Sequence, residues 1–184
     1  MKKLLPILKW FLLIWGGLSL LGAIGLGGFF AYRLGPGNTD KIDSASKKDV
    51  RFVLNWCEIG EDRIEKVIHS YVSSKSLTGD HLNAHAIQIS HVSIAELTAK
   101  TDDVNGRWYR GDQVSGVLDD AVNFLAGWLD SGKITWFPSE KELRSDRYFV
   151  YPWSISCHGV RPTAAKLIFV RPSDNMIFYF SGKT

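Results

Sequence analysis

Residues Trp10 to Tyr32 form 23 consecutive positions without a formal charge, WFLLIWGGLSLLGAIGLGGFFAY. At about 1.5 Å of rise per residue they make a helix of roughly 34 Å, enough to cross a hydrocarbon core of about 30 Å with some tilt. A helix apolar on every side has no face to turn to water, so the rest of the chain must hang from a segment that lipid solvates. Trp10 and Trp15 lie near its first end and Phe29, Phe30 and Tyr32 near its second, where amphipathic aromatics favour the headgroup region. The rival reading is a cleaved signal peptide, whose apolar region is usually about 7–15 residues long. Small-x-small cleavage positions are also poor, since Ala31 has Phe29 two residues before it and Ala23 has Leu21. An uncleaved anchor over residues 1–33 is the expectation, in contact with the bilayer through residues 10–32.

Lys2, Lys3 and Lys9 precede the run and Arg33 closes it, while Lys41, Lys47, Lys48 and Arg51 follow within twenty residues. The positive-inside count is nearly balanced, and only the nearest charges favour the N-terminus inside. A short tail before a long folded domain is a signal-anchor layout. It places the C-terminal domain outside the cytoplasm, and the lack of any N-x-[ST] sequence fits a bacterial inner membrane. Ser19, Ala23, Gly27 and Ala31 recur every four residues. Such a small-residue stripe lets a second helix approach closely, as self-association or partner docking, although small residues are also ordinary in spanning helices.

Charge excludes one large class of partner. Of the 22 Lys and Arg, four flank the apolar run; the remaining 18 face all 19 Asp and Glu, leaving residues 34–184 at about −1. A near-neutral domain has no electrostatic footprint for nucleic acid. Two cysteines, Cys57 and Cys157, make one disulfide possible in an oxidising compartment. It would close a loop of about 100 residues, worth roughly 4–5 kcal/mol in chain entropy. The alternative is two free thiols acting as small core hydrophobes.

Residues 34–48 read as a linker, rich in Gly, Pro, Asn, Ser and charge, and residues 49–184 as one soluble domain. Val50 to Ile59 is apolar and β-branched and reads as a strand, with a helical face as its rival. Glu61 to Ser74 reads as a helix, because Ile64, Val67, Ile68, Tyr71 and Val72 follow i, i+3, i+4, i+7, i+8. Ala84 to Val92 reads as a strand, Ser93 to Ala99 as a short capped helix, and Thr101 to Gly111 as a loop. Asp112 to Ser131 carries the strongest helical stripe and stops at Gly132. A short strand over 133–137, a capped turn of helix after Ser139 and strands over 148–156, 165–171 and 176–181 complete the order. Strands pooled at one end with a large helix before them predict an α+β fold: an antiparallel or mixed sheet with helices packed on one face.

No stretch specifies a reaction. There is no GxGxxG, Walker A or GxSxG sequence, so no cofactor and no catalytic residue is expected. His81 and His85 stand four apart, the spacing that suits zinc on a helix, but Gly79 and Asn83 argue against a helix there. Asp102–Asp103 and Asp119–Asp120 read as solvated pairs, and Arg110-Gly111-Asp112 as a chance tripeptide with Asp112 as a helix cap. Aromatics concentrate in the second half. Trp108, Tyr109, Trp136 and Trp153 are the candidate partner-binding residues, since Trp and Tyr carry binding energy well. The expectation is a membrane-anchored, non-enzymatic accessory or interaction module in a membrane or envelope assembly. The alternative is a membrane-tethered enzyme or metal-dependent sensor built on His81 and His85.

Overall fold

The computed structural model describes residues 4–35, 38–74, 76–99 and 107–184. Lys2, Lys3, the loop segment 101–106 and its Asp102–Asp103 pair lie outside the described residues. The chain divides into two units, residues 1–39 and 40–184. The first unit holds α1, Leu4–Leu34. Its stretch Lys9–Tyr32 is long and apolar enough to cross a membrane by length and composition, a test that a signal sequence also passes, and none of it is buried. Ser19, Ala23, Gly27 and Ala31 are all exposed on one face of this helix.

The second unit begins at Asp40, so residues 40–48, read as linker, belong to the fold. The Asp40 carboxylate accepts from the Ser74 amide at 2.8 Å, the Tyr71 hydroxyl at 2.5 Å and Lys133 Nζ at 3.3 Å. Those donors, the Ser74 amide first, hold its carboxyl well below the usual carboxylate range. After this tie come β1 (Lys41–Ile42), α2 (Lys47–Trp56), β2 (Ile64–Val72), β3 (His81–Ile89), α3 (Ile94–Thr98) and β4 (Tyr109–Arg110). Then follow α4 (Val117–Leu129), α5 (Glu140–Leu143), β5 (Phe149–His158), β6 (Arg161–Arg171) and β7 (Met176–Lys183). The seven strands form one antiparallel sheet in the order β1-β2-β3-β7-β6-β5-β4. The fold is α+β.

Two elements exchange the roles their sequences suggest. Val50 to Ile59, read as a strand, is mostly α2. Asp49 accepts from the Ser46 amide at 2.8 Å and its hydroxyl at 2.6 Å, which fixes the helix start. Val50, Val53, Leu54 and Cys57 then fall on one buried face. Glu61 to Ser74, read as a helix, is mostly β2. Its pairing with β3 shifts register between Ile64 and Lys66 and again between Val67 and His69. Each β-bulge inserts one residue, so the positions facing one side are Ile64, Val67 and Ser70. Two bulges stretch a period of two into a period of three, which imitates a helix in the sequence.

Smaller differences have local causes. α4 starts at Val117 rather than Asp112, because Gly116 stands before it at a φ of 57° that L side chains disfavour. Asp112 is not its cap; it pairs with Arg110 at 2.6 Å. Residues 133–137 are turns, not a strand, although Ile134 and Phe137 still enter the core. The short helices α3 and α5 form behind Ser93 and Ser139 as their capping boxes predict.

Helices cover both faces of the sheet, which corrects the expectation of one. Leu167 and Phe169 of β6 and Phe178 and Phe180 of β7 point to the first face, packed by Leu118, Ala121, Val122 and Leu125 of α4 and Leu143 of α5. Ile168, Val170, Ile177 and Tyr179 point to the second, packed by α2 and by Leu97 of α3. The runs Leu167–Val170 and Met176–Phe180 are apolar at every position, so side chains emerging on either face need a cover.

The proposed Cys57–Cys157 disulfide is not formed; both thiols are free. Cys57 is buried beside α2, where desolvation pushes its thiol up to about 12. Cys157 is exposed near the end of β5, opposite Pro162.

Candidate functional site

The second face is only partly covered. α2 runs over it from β3, where Asp49 acts on His85, to β5, where Trp56 meets Trp153. Under α2 lie the cross-strand rows His85–Tyr179–Ile168–Tyr151 and Ile87–Ile177–Val170–Phe149. Beyond them, on the same face, come Asn83–Ser181–Lys166–Ser154 and then His81–Lys183–Ala164–Ser156. The composition changes at this line from apolar to polar. Ser154, Ser156 and Lys183 are exposed; Asn83, His81, Lys166 and Ala164 are half-buried; Ser181 is buried. His81 lies over Ser181, with Nε2 at 3.1 Å from its hydroxyl and Nδ1 at 3.0 Å from the Gly79 carbonyl. These two rows make a polar shelf.

An aromatic wall bounds the shelf. Phe52 and Trp56 stand four apart on α2 and meet edge to face, with centroids 4.6 Å apart. Phe52 meets Tyr179 at 5.3 Å, and the Trp56 and Trp153 indoles stack at 4.7 Å with planes 1° apart. Lys166 Nζ lies 5.2 Å from the Trp56 ring centre, a cation–π contact. Trp153 owes its position to a bulge: Pro152 pairs with Leu167 and Ser154 with Lys166, leaving Trp153 as the extra residue. It stays 41% exposed, the most exposed large aromatic of the folded unit.

His85 lies behind this wall, 4% exposed and stacked on Tyr179 at 5.7 Å. Its Nδ1 has no hydrogen-bond partner among the described residues. Burial pushes its imidazole down to about 4, against the opposing pull of Asp49, and burial pushes the Tyr179 phenol up to about 12. His81 and His85 share a face of β3, but four residues along a strand separate them by about 13 Å. They cannot hold one ion between them. Among the described residues no group of three or more His, Cys, Asp or Glu is placed to hold a metal.

The four aromatic candidates do not form one patch. Trp108 packs against Tyr151 at 5.3 Å on the second face. Tyr109 in β4 and Trp136 join the first-face core, Trp136 stacking on His69 at 5.3 Å. Tyr109 also lines a cleft of about 300 Å³ with Ser115, Val117, Leu118 and Pro152, where its phenol is the sole ionisable group. Asp119, read as solvated, instead receives Arg144, which also binds Glu140 at 2.9 Å and so ties α4 to α5. Trp153 alone of the four combines exposure with a built surround. Its partners Trp56, Phe52 and Lys166 escaped the sequence reading; the i, i+4 pair Phe52–Trp56 would have been visible had residues 47–56 been read as a helix.

Comparison with protein-family models, curated proteins and solved structures finds no match for this chain.

Proposed function

We propose that this chain is a single-pass, membrane-anchored interaction module, non-enzymatic, with its folded unit outside the cytoplasm and accessory to a membrane or envelope assembly. The observation that carries this reading is the Trp56–Trp153 wall beside a polar sheet surface, on a unit that follows a helix of spanning length. Stacked indoles with one ring left open are a recognition device, because they offer large contact area at small conformational cost. A bulge and a proline within β5 break regular pairing to present that ring, and departures from local rules concentrate where a surface is used. The small-residue stripe of α1 offers a second contact, helix to helix, within the same assembly.

Two measurements test the reading. Cys157 is exposed and Cys57 buried, so a membrane-impermeant maleimide applied to intact cells should label the chain once, at Cys157. Labelling only after lysis would place the folded unit inside. Purification of the full chain in mild detergent should recover a stoichiometric companion that is lost with Trp153→Ala. A chain that purifies alone at every detergent strength defeats the accessory role.

A further inference from the structure

We infer that the shelf on the second face is a binding site for an acidic polysaccharide, held with one sugar ring against Trp153 and its anionic group toward Lys166 and Lys183. The inference rests on the interaction-module reading and names the ligand class for the same surface. Three features decide the class. The first is the wall. The face of an aromatic ring carries partial negative charge, and it matches a flat ligand edge of polarised C–H groups, as the apolar side of a pyranose presents. Trp56 occupies one side of the Trp153 indole, leaving a single ring as the platform.

The second is the floor. Asn83, Ser154 and Ser156 place amide and hydroxyl groups in register across β3 and β5, flanking β7 and β6, while both ring nitrogens of His81 are already engaged by Ser181 and Gly79. The apolar part of this surface is confined to the aromatic wall; of the floor's eight positions Ala164 is the sole apolar residue. A ligand rich in hydroxyl groups satisfies such a floor.

The third is charge. Lys166 and Lys183 are the only charged residues among the eight positions. Among the described residues neither lysine forms an ion pair with a carboxylate. On a unit with a charge of about −1 overall, two lysines adjacent across β6 and β7 and outside any ion pair favour an anion. Lys166 is held over Trp56 and Lys183 donates to the Thr78 carbonyl at 3.5 Å, so both ammonium groups are positioned before a ligand arrives.

The test is isothermal titration of the full chain in mild detergent with oligogalacturonate, using a malto-oligosaccharide of equal length as the neutral control. The acidic oligomer should bind, and the neutral one should bind about tenfold more weakly or worse. Trp153→Ala should lower acidic-oligomer affinity about tenfold, with Trp153→Phe restoring most of it. Lys166→Gln combined with Lys183→Gln should cost a similar factor at low ionic strength, and the difference should shrink as salt approaches about 1 M. The inference is overturned if the acidic oligomer gives no heat, if Trp153→Ala leaves its affinity unchanged, or if both oligomers bind equally. Binding confined to vesicles of anionic lipid also overturns it and assigns the shelf to a bilayer surface. If oligosaccharides fail while a Trp153-dependent protein companion persists, the ligand class falls and the interaction module stands.

Discussion

On the first face of the sheet, α4 and α5 close completely over Phe169, Phe178 and Phe180; on the second, α2 closes two rows and stops at Trp56, leaving two rows open. The same strands build both. Because successive side chains alternate between faces, β6 and β7 can bury Leu167 and Phe180 on one side while presenting Lys166 and holding Ser181 on the other. The comparison shows a division of labour along each strand: one face supplies stability, and the other spends part of its area on a surface.

The largest test of that division is Phe169→Ala. Phe169 is fully buried, and its truncation should cost about 3–5 kcal/mol by urea unfolding of the full chain. Next comes acid. In the folded unit His85 stays neutral down to about pH 4, whereas the unfolded chain takes up its proton near 6.5. Stability is therefore intact above pH 6.5 and falls as pH drops from 6.5 to 4, by about 3 kcal/mol when complete. Glu96 and Asp40, whose carboxyls are held below their ordinary values of 4.5 and 3.8, begin to lose their contributions only below about pH 5, so the window between about 5 and 6.5 isolates the histidine. His85→Gln should flatten unfolding free energy across that window; an unchanged slope would show that the second face does not carry the acid response. Third, Asp49→Ala removes the acceptor of both Ser46 donors at the start of α2 and should lower unfolding free energy by less than either change above. Smallest is Trp153→Ala, expected to cost about 1 kcal/mol or less in unfolding because the ring is already partly in water. A loss at Trp153 as large as that at Phe169 would break the comparison outright.

The sequence announces some of this plainly and disguises the rest. The apolar helix, the capped helices after Ser93 and Ser139, the strands of the second half and the α+β class follow from periodicity and capping. α2 was ambiguous because Val50, Val53, Leu54 and Cys57 satisfy a helical face while their β-branched and apolar neighbours also suit a strand. β2 was hidden by its bulges, which no local pattern reveals since they arise in pairing with β3. The candidate site depends on both of these elements. Trp153 was visible as an aromatic, but its meaning depends on Trp56, and Trp56 becomes its neighbour only when residues 47–56 coil over the sheet. Lys166 was equally invisible, because only the register of β6 with β5 and β7 brings it under the wall.

The bulges of β2 have a consequence for chains held side by side. β1 pairs only with Tyr71 and Val72, so among the described residues Ile64 to Ser70 have no strand on their outer side. A straight edge of that length is a template on which a neighbouring copy can continue the sheet. Two inserted residues twist that border and throw its donors and acceptors out of step, while Glu65 and Lys66 add charge to it. The opposite border carries its own interruption, a proline at 152 followed by an unpaired residue. The sheet is thereby interrupted at both margins, and neither offers a second copy a regular run of donors and acceptors to continue.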